Sequence, residues 1–132
     1  PTAATWAIEN RTSSLRAITR GAGGTRIENR TPGADVNAYL GFAACLAGGI
    51  SGIERGLAAP PPVSGDVYKS EGLRPLPRTL DQALDLFEGS AVARDYLGDG
   101  FVDHYVAMRR WEVEKHRRAV TEWERARYFE QV

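Results

Sequence analysis

The sequence predicts an α+β fold, and three observations carry that expectation. Short segments before residue 31 alternate apolar and polar side chains, as half-buried strands do. From Val36 onward, apolar residues recur at three- and four-residue steps, the spacing of helices. Strands thus gather at one end and helices follow, unlike the strict alternation of a parallel α/β fold.

Residues 5–19 alternate loosely through Trp6, Ile8, Leu15 and Ile18, predicting one or two strands with a break near Asn10-Arg11. Gly21-Ala-Gly-Gly24 reads as a turn. A strand at Thr25–Arg30 should follow, antiparallel to the first, and Thr31-Pro32-Gly33 ends it because proline cannot donate to a sheet ladder. Asp35 is the expected N-cap of a helix running to about Gly56. Tyr39, Phe42, Ala43, Leu46, Ile50 and Ile53 mark its apolar positions, and Ala44, Ala47, Gly48 and Gly49 make it slim. That composition predicts a central helix buried under the sheet.

Ala58 to Arg78 differs in kind. Pro60-Pro61-Pro62, Pro75 and Pro77 exclude regular helix and favour an extended arm across a surface. Thr79-Leu-Asp-Gln82 has the form of a capping box, and Leu80, Ala83, Leu84 and Phe87 form the stripe of a short amphipathic helix. Ser90 should cap another helix, ending at Gly98. Phe101, Tyr105, Met108 and Val113 predict a longer one, and Thr121-Glu-Trp-Glu124 opens the last, toward Val132.

Composition narrows the function classes. The 132 residues suffice for one modest domain, and 17 basic residues balance 17 acidic ones. Whole-chain charge therefore argues for neither a nucleic-acid nor a membrane-surface partner. The uncharged run Val36–Ile53 carries Asn37, Ser51 and several glycines, so it reads as a buried helix and not a membrane span. A single cysteine, Cys45, excludes an internal disulfide, fits a cytoplasmic setting and reads as a small buried hydrophobe. The opening Pro-Thr-Ala-Ala-Thr-Trp reads as a cut inside a longer protein. Lys115-His-Arg-Arg118 is flanked by Glu112, Glu114, Glu122 and Glu124, the pattern of a solvated helix face. His104 and His116 have no ligand partners at metal spacing, and Trp111 and Trp123 read as packing anchors.

The chemistry concentrates upstream. On a strand, Arg26, Glu28 and Arg30 share one face and Ile27 takes the other. Such charges can simply pair with one another, which contributes little when they are exposed. A second reading starts from what each group can hold. A carboxylate suits Mg²⁺ bound together with substrate phosphates, and guanidinium suits phosphate and carboxylate oxygens. Arg11 and Arg16 lie on the preceding segment, and they reach one site only if the chain bends near Thr12-Ser13.

Asn10-Arg-Thr-Ser-Ser-Leu-Arg16, Arg26-Ile-Glu-Asn-Arg30 and Pro32-Gly-Ala-Asp-Val-Asn-Ala-Tyr-Leu40 resemble the C-terminal part of the glutamine synthetase catalytic domain. The likeness continues at Ala43-Ala-Cys-Leu-Ala-Gly-Gly-Ile-Ser-Gly-Ile-Glu54, Leu76-Pro-Arg-Thr-Leu-Asp-Gln-Ala-Leu84 and Thr121-Glu-Trp-Glu-Arg-Ala-Arg-Tyr128, in the family's order over nearly the whole chain. The resemblance implies antiparallel strands backed by the central helix, and an ATP-dependent ligase using Mg²⁺ or Mn²⁺. Such an enzyme phosphorylates the γ-carboxylate of glutamate and lets ammonia displace the phosphate. It further implies that Arg11 contacts both nucleotide phosphate and the glutamyl substrate. Arg16 and Arg26 would contact nucleotide phosphates, Glu28 the metal, and Arg30 the substrate carboxylate. A γ-glutamyl-polyamine or monoamine synthetase is the alternative within the class, since the amine pocket is built upstream.

The resemblance also implies a cytoplasmic ring-shaped homo-oligomer, usually a dodecamer, with no nucleic acid or membrane partner. Residues 1–132 are then one fragment of the catalytic domain, inactive alone because the other metal ligands precede Pro1. The family's frequent lysine before the metal glutamate is missing, and Arg20 is the basic residue in that connection. A non-catalytic relative or truncated remnant is the reading from another class. The presence of Arg11, Arg16, Glu28 and Arg30 argues against decay of this half.

Overall fold

A computed structural model describes residues 1–131. The chain is α+β and divides into two compact units, Pro1–Pro77 and the residues from Arg78 onward. The first unit holds a sheet of three short strands, β1 (Trp6–Ile8), β2 (Leu15–Ile18) and β3 (Arg26–Asn29), in that spatial order. β2 and β3 are antiparallel, as expected, and pair Arg16 with Glu28 and Ile18 with Arg26.

β1 and β2, however, run parallel, with Trp6 opposite Leu15 and Ala7 opposite Arg16. The wholly antiparallel sheet expected from the sequence is therefore corrected at this pair. Residues 9–14 accomplish the return in an unusually short connection for parallel strands, which normally need a dozen or more residues. The bend begins at Glu9, whose φ of 49° is uncommon for a residue with a side chain. Asn10 Oδ1 then accepts from the backbone N–H and hydroxyl of Thr12. Ser13 Oγ lies 2.9 Å from the carbonyls of both Asn10 and Leu15 and donates to one at a time. Ser14 Oγ donates to the Thr5 carbonyl and accepts from its N–H. These short polar side chains satisfy backbone groups that the tight loop takes out of the ladder, and Ser13 and Ser14 are buried doing so.

The proline-rich arm lies along this region. The N–H of Val63 donates to the Trp6 carbonyl, and Trp6 Nε1 donates to the carbonyl of Pro60. Asn10 Nδ2 donates to Gly65 O, and the N–H of Val67 donates to Thr12 Oγ1. Val67 itself, on a 3-10 turn at Val67–Lys69, is 2 % exposed. Arm and loop thus brace each other on both sides of Arg11.

The central helix, α1 (Ala38–Glu54), departs from expectation twice. Its N-cap is Asn37, whose side chain accepts from the N–H groups of Tyr39 and Leu40, and not Asp35. Asn caps a helix as well as Asp does, so the first turn can start two residues later than an Asp35 cap would set it. Nor is the helix buried: only Ala47 and Ser51 are, whereas Tyr39, Phe42, Leu46 and Ile53 are exposed. Its apolar side chains point around the helix, and the described residues supply no surface to cover most of them. Cys45 is likewise exposed, not buried, and its Sγ accepts from Asn29 Nδ2.

The second unit is helical: α2 (Leu80–Glu88), α3 (Ala91–Leu97), α4 (Asp99–Arg118) and α5 (Glu122–Tyr128). Caps fall where the sequence places them, at Thr79, Ser90 and Thr121, with a full capping box at Thr121. At Thr79 the reciprocal half is shifted: Gln82 Oε1 accepts from the N–H of Arg78. Leu84, Ala93, Val102 and Val106 form the core, with Phe87, Leu97 and Val113 against it. The buried stripe of α4 thus runs through Val102 and Val106, while Phe101 and Met108 are exposed. Arg110 ties α4 to α2 through Asp81, Asp85 and Glu88. Trp111 and Trp123 are exposed and do not anchor the core. Among the described residues, no helix is long and apolar enough to cross a membrane.

Candidate functional site

The site grows from the β2–β3 ladder. Directly opposed residues share a sheet face, so the register places Arg16 beside Glu28, and Arg16 Nη1 lies 3.4 Å from a Glu28 oxygen. Arg30, two residues on from Glu28, returns along the same face and donates from Nη1 to the other oxygen at 2.7 Å. Arg11 arrives from the braced loop. It is exposed there, and its positive charge is felt at the Glu28 carboxyl, the smallest of the influences on it. The bend required at Thr12-Ser13 is present. The structure therefore brings Arg16 and Arg30 onto Glu28, while Arg11 acts on it only through its charge.

Arg26 is placed differently. It is exposed, donates to the carbonyl of Gly24, and its charge acts on Glu9. It flanks the cluster as the first residue of β3. Ile27 takes the opposite face, as alternation requires, and is 66 % exposed there.

Sequence reasoning missed Glu9. Its carboxylate receives Arg16 Nη2 at 2.5 Å and lies 3.7 Å from Arg20 Nε. Arg16 consequently bridges two carboxylates, Glu9 from the bend and Glu28 from the ladder. The available signal was a carboxylate immediately before Asn10-Arg11, at the end of an alternating segment. No periodicity marks such a residue, because its direction is set by a positive φ that the sequence does not announce.

The electrostatics are lopsided. Arg16, Arg20 and Arg30 pair with two carboxylates, Glu9 and Glu28, and the charges of Arg11 and Arg26 are felt there as well. The hydrogen bond from Arg30 holds the Glu28 carboxyl below its ordinary range, against a desolvation cost, with the charges of Arg16, Arg30 and Arg11 adding to it. The bond from Arg16 does the same for Glu9, helped by the charges of Arg16, Arg20 and Arg26. Both groups are therefore carboxylates at neutral pH. A cationic surplus on a fixed frame is suited to anions such as phosphate.

The donor set bears on two kinds of ligand. Arg16 Nε and Arg30 Nε are buried and have no hydrogen-bond partner among the described residues. Buried donors of this kind are costly to leave unpaired, and ligands rich in acceptor oxygens fit them. Among the described residues, no group of three or more His, Cys, Asp or Glu side chains forms a metal site by itself. Glu28 would offer a metal ion one carboxylate arm. That fits a hard divalent cation which takes its remaining ligands from phosphates, water and other residues.

A family model for the glutamine synthetase catalytic domain matches residues 1–128. The chain belongs to the glutamine synthetase family. It is 43% identical over 127 residues to a glutamate–isopropylamine ligase of a Pseudomonas species, which covers 95% of this chain and 28% of that protein. Identity to type-1 glutamine synthetase 2 of Dictyostelium discoideum is 42%, over 98% of this chain and 26% of that one. Solved structures of GmaS agree in fold, with TM-scores of 0.84 without ligand, at 30% identity, and 0.81 in an ADP complex, at 29%. Each covers 98% of this chain and 30% of the GmaS chain. The chain therefore spans under a third of the length of these relatives. Its place in the family agrees with the resemblance carried by Asn10–Arg16, Arg26–Arg30 and the motifs after them.

Proposed function

We propose that these residues are the C-terminal part of the catalytic domain of an ATP-dependent ligase that joins ammonia to the γ-carboxylate of glutamate through γ-glutamyl phosphate. The meeting of Arg16 and Arg30 at Glu28 carries this reading, because it sets anion-binding groups around a single carboxylate. Glu28 would hold Mg²⁺ or Mn²⁺. A metal held there would supply positive charge that offsets the charge of the transferring phosphoryl group. Arg16 and Arg26 would take nucleotide phosphates, Arg30 the substrate glutamate's carboxylate, and Arg11 both phosphate and the glutamyl group. Guanidinium groups held on strands and on a braced loop are already positioned when charge develops, which is how such a site lowers a barrier. Support for a nucleotide also comes from the likeness to GmaS, which has been solved with ADP.

A second reading, an amine in place of ammonia, is favoured by the similarity to the glutamate–isopropylamine ligase. Arg30 addresses only the glutamate side, so either acceptor is compatible with it. The family reading also carries a cytoplasmic ring of subunits, with the 132 residues inactive alone because Glu28 is only one metal arm. Phosphate release by the intact protein with ATP, Mg²⁺ and glutamate, measured with ammonia, isopropylamine, ethanolamine and polyamines in turn, tests the proposal. Turnover with ammonia supports the first reading and turnover with one of the amines alone supports the second. No phosphate release with any of them overturns both.

A further inference from the structure

We propose that Glu9 is a positioning residue: its carboxylate fixes the Arg16 guanidinium, with Arg20 beside it, so that Arg16 is aimed at nucleotide phosphate. The inference rests on the ligase reading and adds a residue to it. Arg16 is long and flexible, yet 11% of its side chain is exposed and it reaches two carboxylates from different parts of the chain. Of those two, Glu28 is the weaker partner, at 3.4 Å against 2.5 Å. Glu28 also has Arg30, and as a metal ligand it would turn its oxygens elsewhere. Glu9 has no such second duty. It holds Arg16 whether or not Glu28 is engaged.

The backbone supports a dedicated role. Glu9 adopts φ of 49°, a conformation usually left to Gly, Asn or Asp, at the first residue of the bend between β1 and β2. Its N–H donates to the Ala17 carbonyl, so the residue is pinned to β2 directly beside Arg16. The positive φ turns the carboxylate back toward the sheet face that carries Arg16, Glu28 and Arg30. Arg20 Nε stands 3.7 Å from the other Glu9 oxygen, so one carboxylate gathers two guanidinium groups. A carboxylate that accepts from one guanidinium and attracts a second limits the rotamers of the first and lowers the ordering cost of binding an anion.

The test uses the intact protein with Glu9→Gln, Glu9→Asp, Arg16→Lys and the Glu9→Gln/Arg16→Lys pair. Readouts are KM for ATP, KM for glutamate, and ADP affinity by calorimetry. Misplacement of a positioned group by an ångström costs on the order of 100-fold. Glu9→Gln should therefore raise the ATP KM and the ADP Kd by roughly 10- to 100-fold, with the glutamate KM within about twofold of normal. Glu9→Asp, which keeps the charge, should recover part of the loss. The double variant should be no worse than Arg16→Lys alone, because both act through one contact. Unchanged nucleotide parameters in Glu9→Gln, or fully additive losses in the double variant, would overturn the proposal. A glutamate KM that rises as much as the ATP KM would overturn it too, by marking general damage. Absence of turnover in the unaltered protein would instead sink the ligase reading, while ADP affinity would still decide the claim about Glu9.

Discussion

Replacing Glu28 by glutamine removes one charge and almost no volume, so it isolates what the carboxylate does. In the structure that carboxylate lies 2.7 Å from Arg30 and 3.4 Å from Arg16, with Arg11 acting on it as well. Glutamine can still accept a hydrogen bond from Arg30 through its carbonyl oxygen, and the ladder position opposite Arg16 is unchanged. The fold should therefore survive, with a melting temperature within about 5 °C of normal, as for a surface-level substitution. Chemistry should not survive. Loss of one preorganised electrostatic group costs on the order of 100- to 1000-fold in kcat. Here the loss also leaves Arg16 and Arg30 without their shared counter-charge and, on the proposed metal role, deprives a divalent cation of its carboxylate arm. The expected drop is about 1000-fold or more, read as phosphate release by the intact protein under saturating ATP, glutamate and amine. Turnover within about threefold of normal at ordinary Mg²⁺ would refute the metal role and leave Glu28 as a strand-surface partner of Arg30.

Arg30→Ala should raise the glutamate KM by roughly 10- to 100-fold with the ATP KM little changed, since a lost charge-assisted bond acts on its own ligand; an unaltered glutamate KM would contradict the assignment. Leu84→Ala empties the core formed with Ala93, Val102 and Val106, where Leu84 is 2 % exposed. It should cost about 2–5 kcal/mol in urea unfolding, and a loss below about 1 kcal/mol would contradict the packing described. Glu9 and Glu28 are both held below the ordinary value of 4.5, so the stability they contribute is present above that pH and is lost as pH falls through their folded values. Melting temperature should thus decline on acidification below about pH 4.5, and a Glu9→Gln/Glu28→Gln double variant should show a shallower decline. An identical acid limb in that variant would remove the basis for the claim.

Much of this was legible in the residues because the signals are local. Thr79, Ser90 and Thr121 cap the helices they precede, since a hydroxyl three residues before a free N–H is enough to specify the end. The shared face of Glu28 and Arg30 follows from strand alternation alone, and their contact with Arg16 follows once β2 and β3 pair. What escaped depends on distant partners. The parallel pairing of β1 with β2 rests on Glu9's backbone and on an arm more than fifty residues away that holds Asn10 and Thr12. The exposure of Tyr39, Phe42 and Leu46 on α1 escaped because an apolar pattern states what a helix would bury, not whether the covering surface is present. The arrangement around Glu9 left no trace in spacing, because the carboxylate sits in the bend before β2 and turns back onto Arg16 and Arg20 on and just after that strand.

The claim that Glu28 and its arginines form one metal-and-anion pocket is tested most directly by anomalous diffraction from crystals of the intact protein grown with Mn²⁺, ADP and glutamate. The account predicts a manganese peak within about 2.5 Å of a Glu28 oxygen, with nucleotide phosphate on Arg16 and the glutamate carboxylate on Arg30. A manganese site elsewhere, with Arg16 and Arg30 still closed on Glu28, would contradict it.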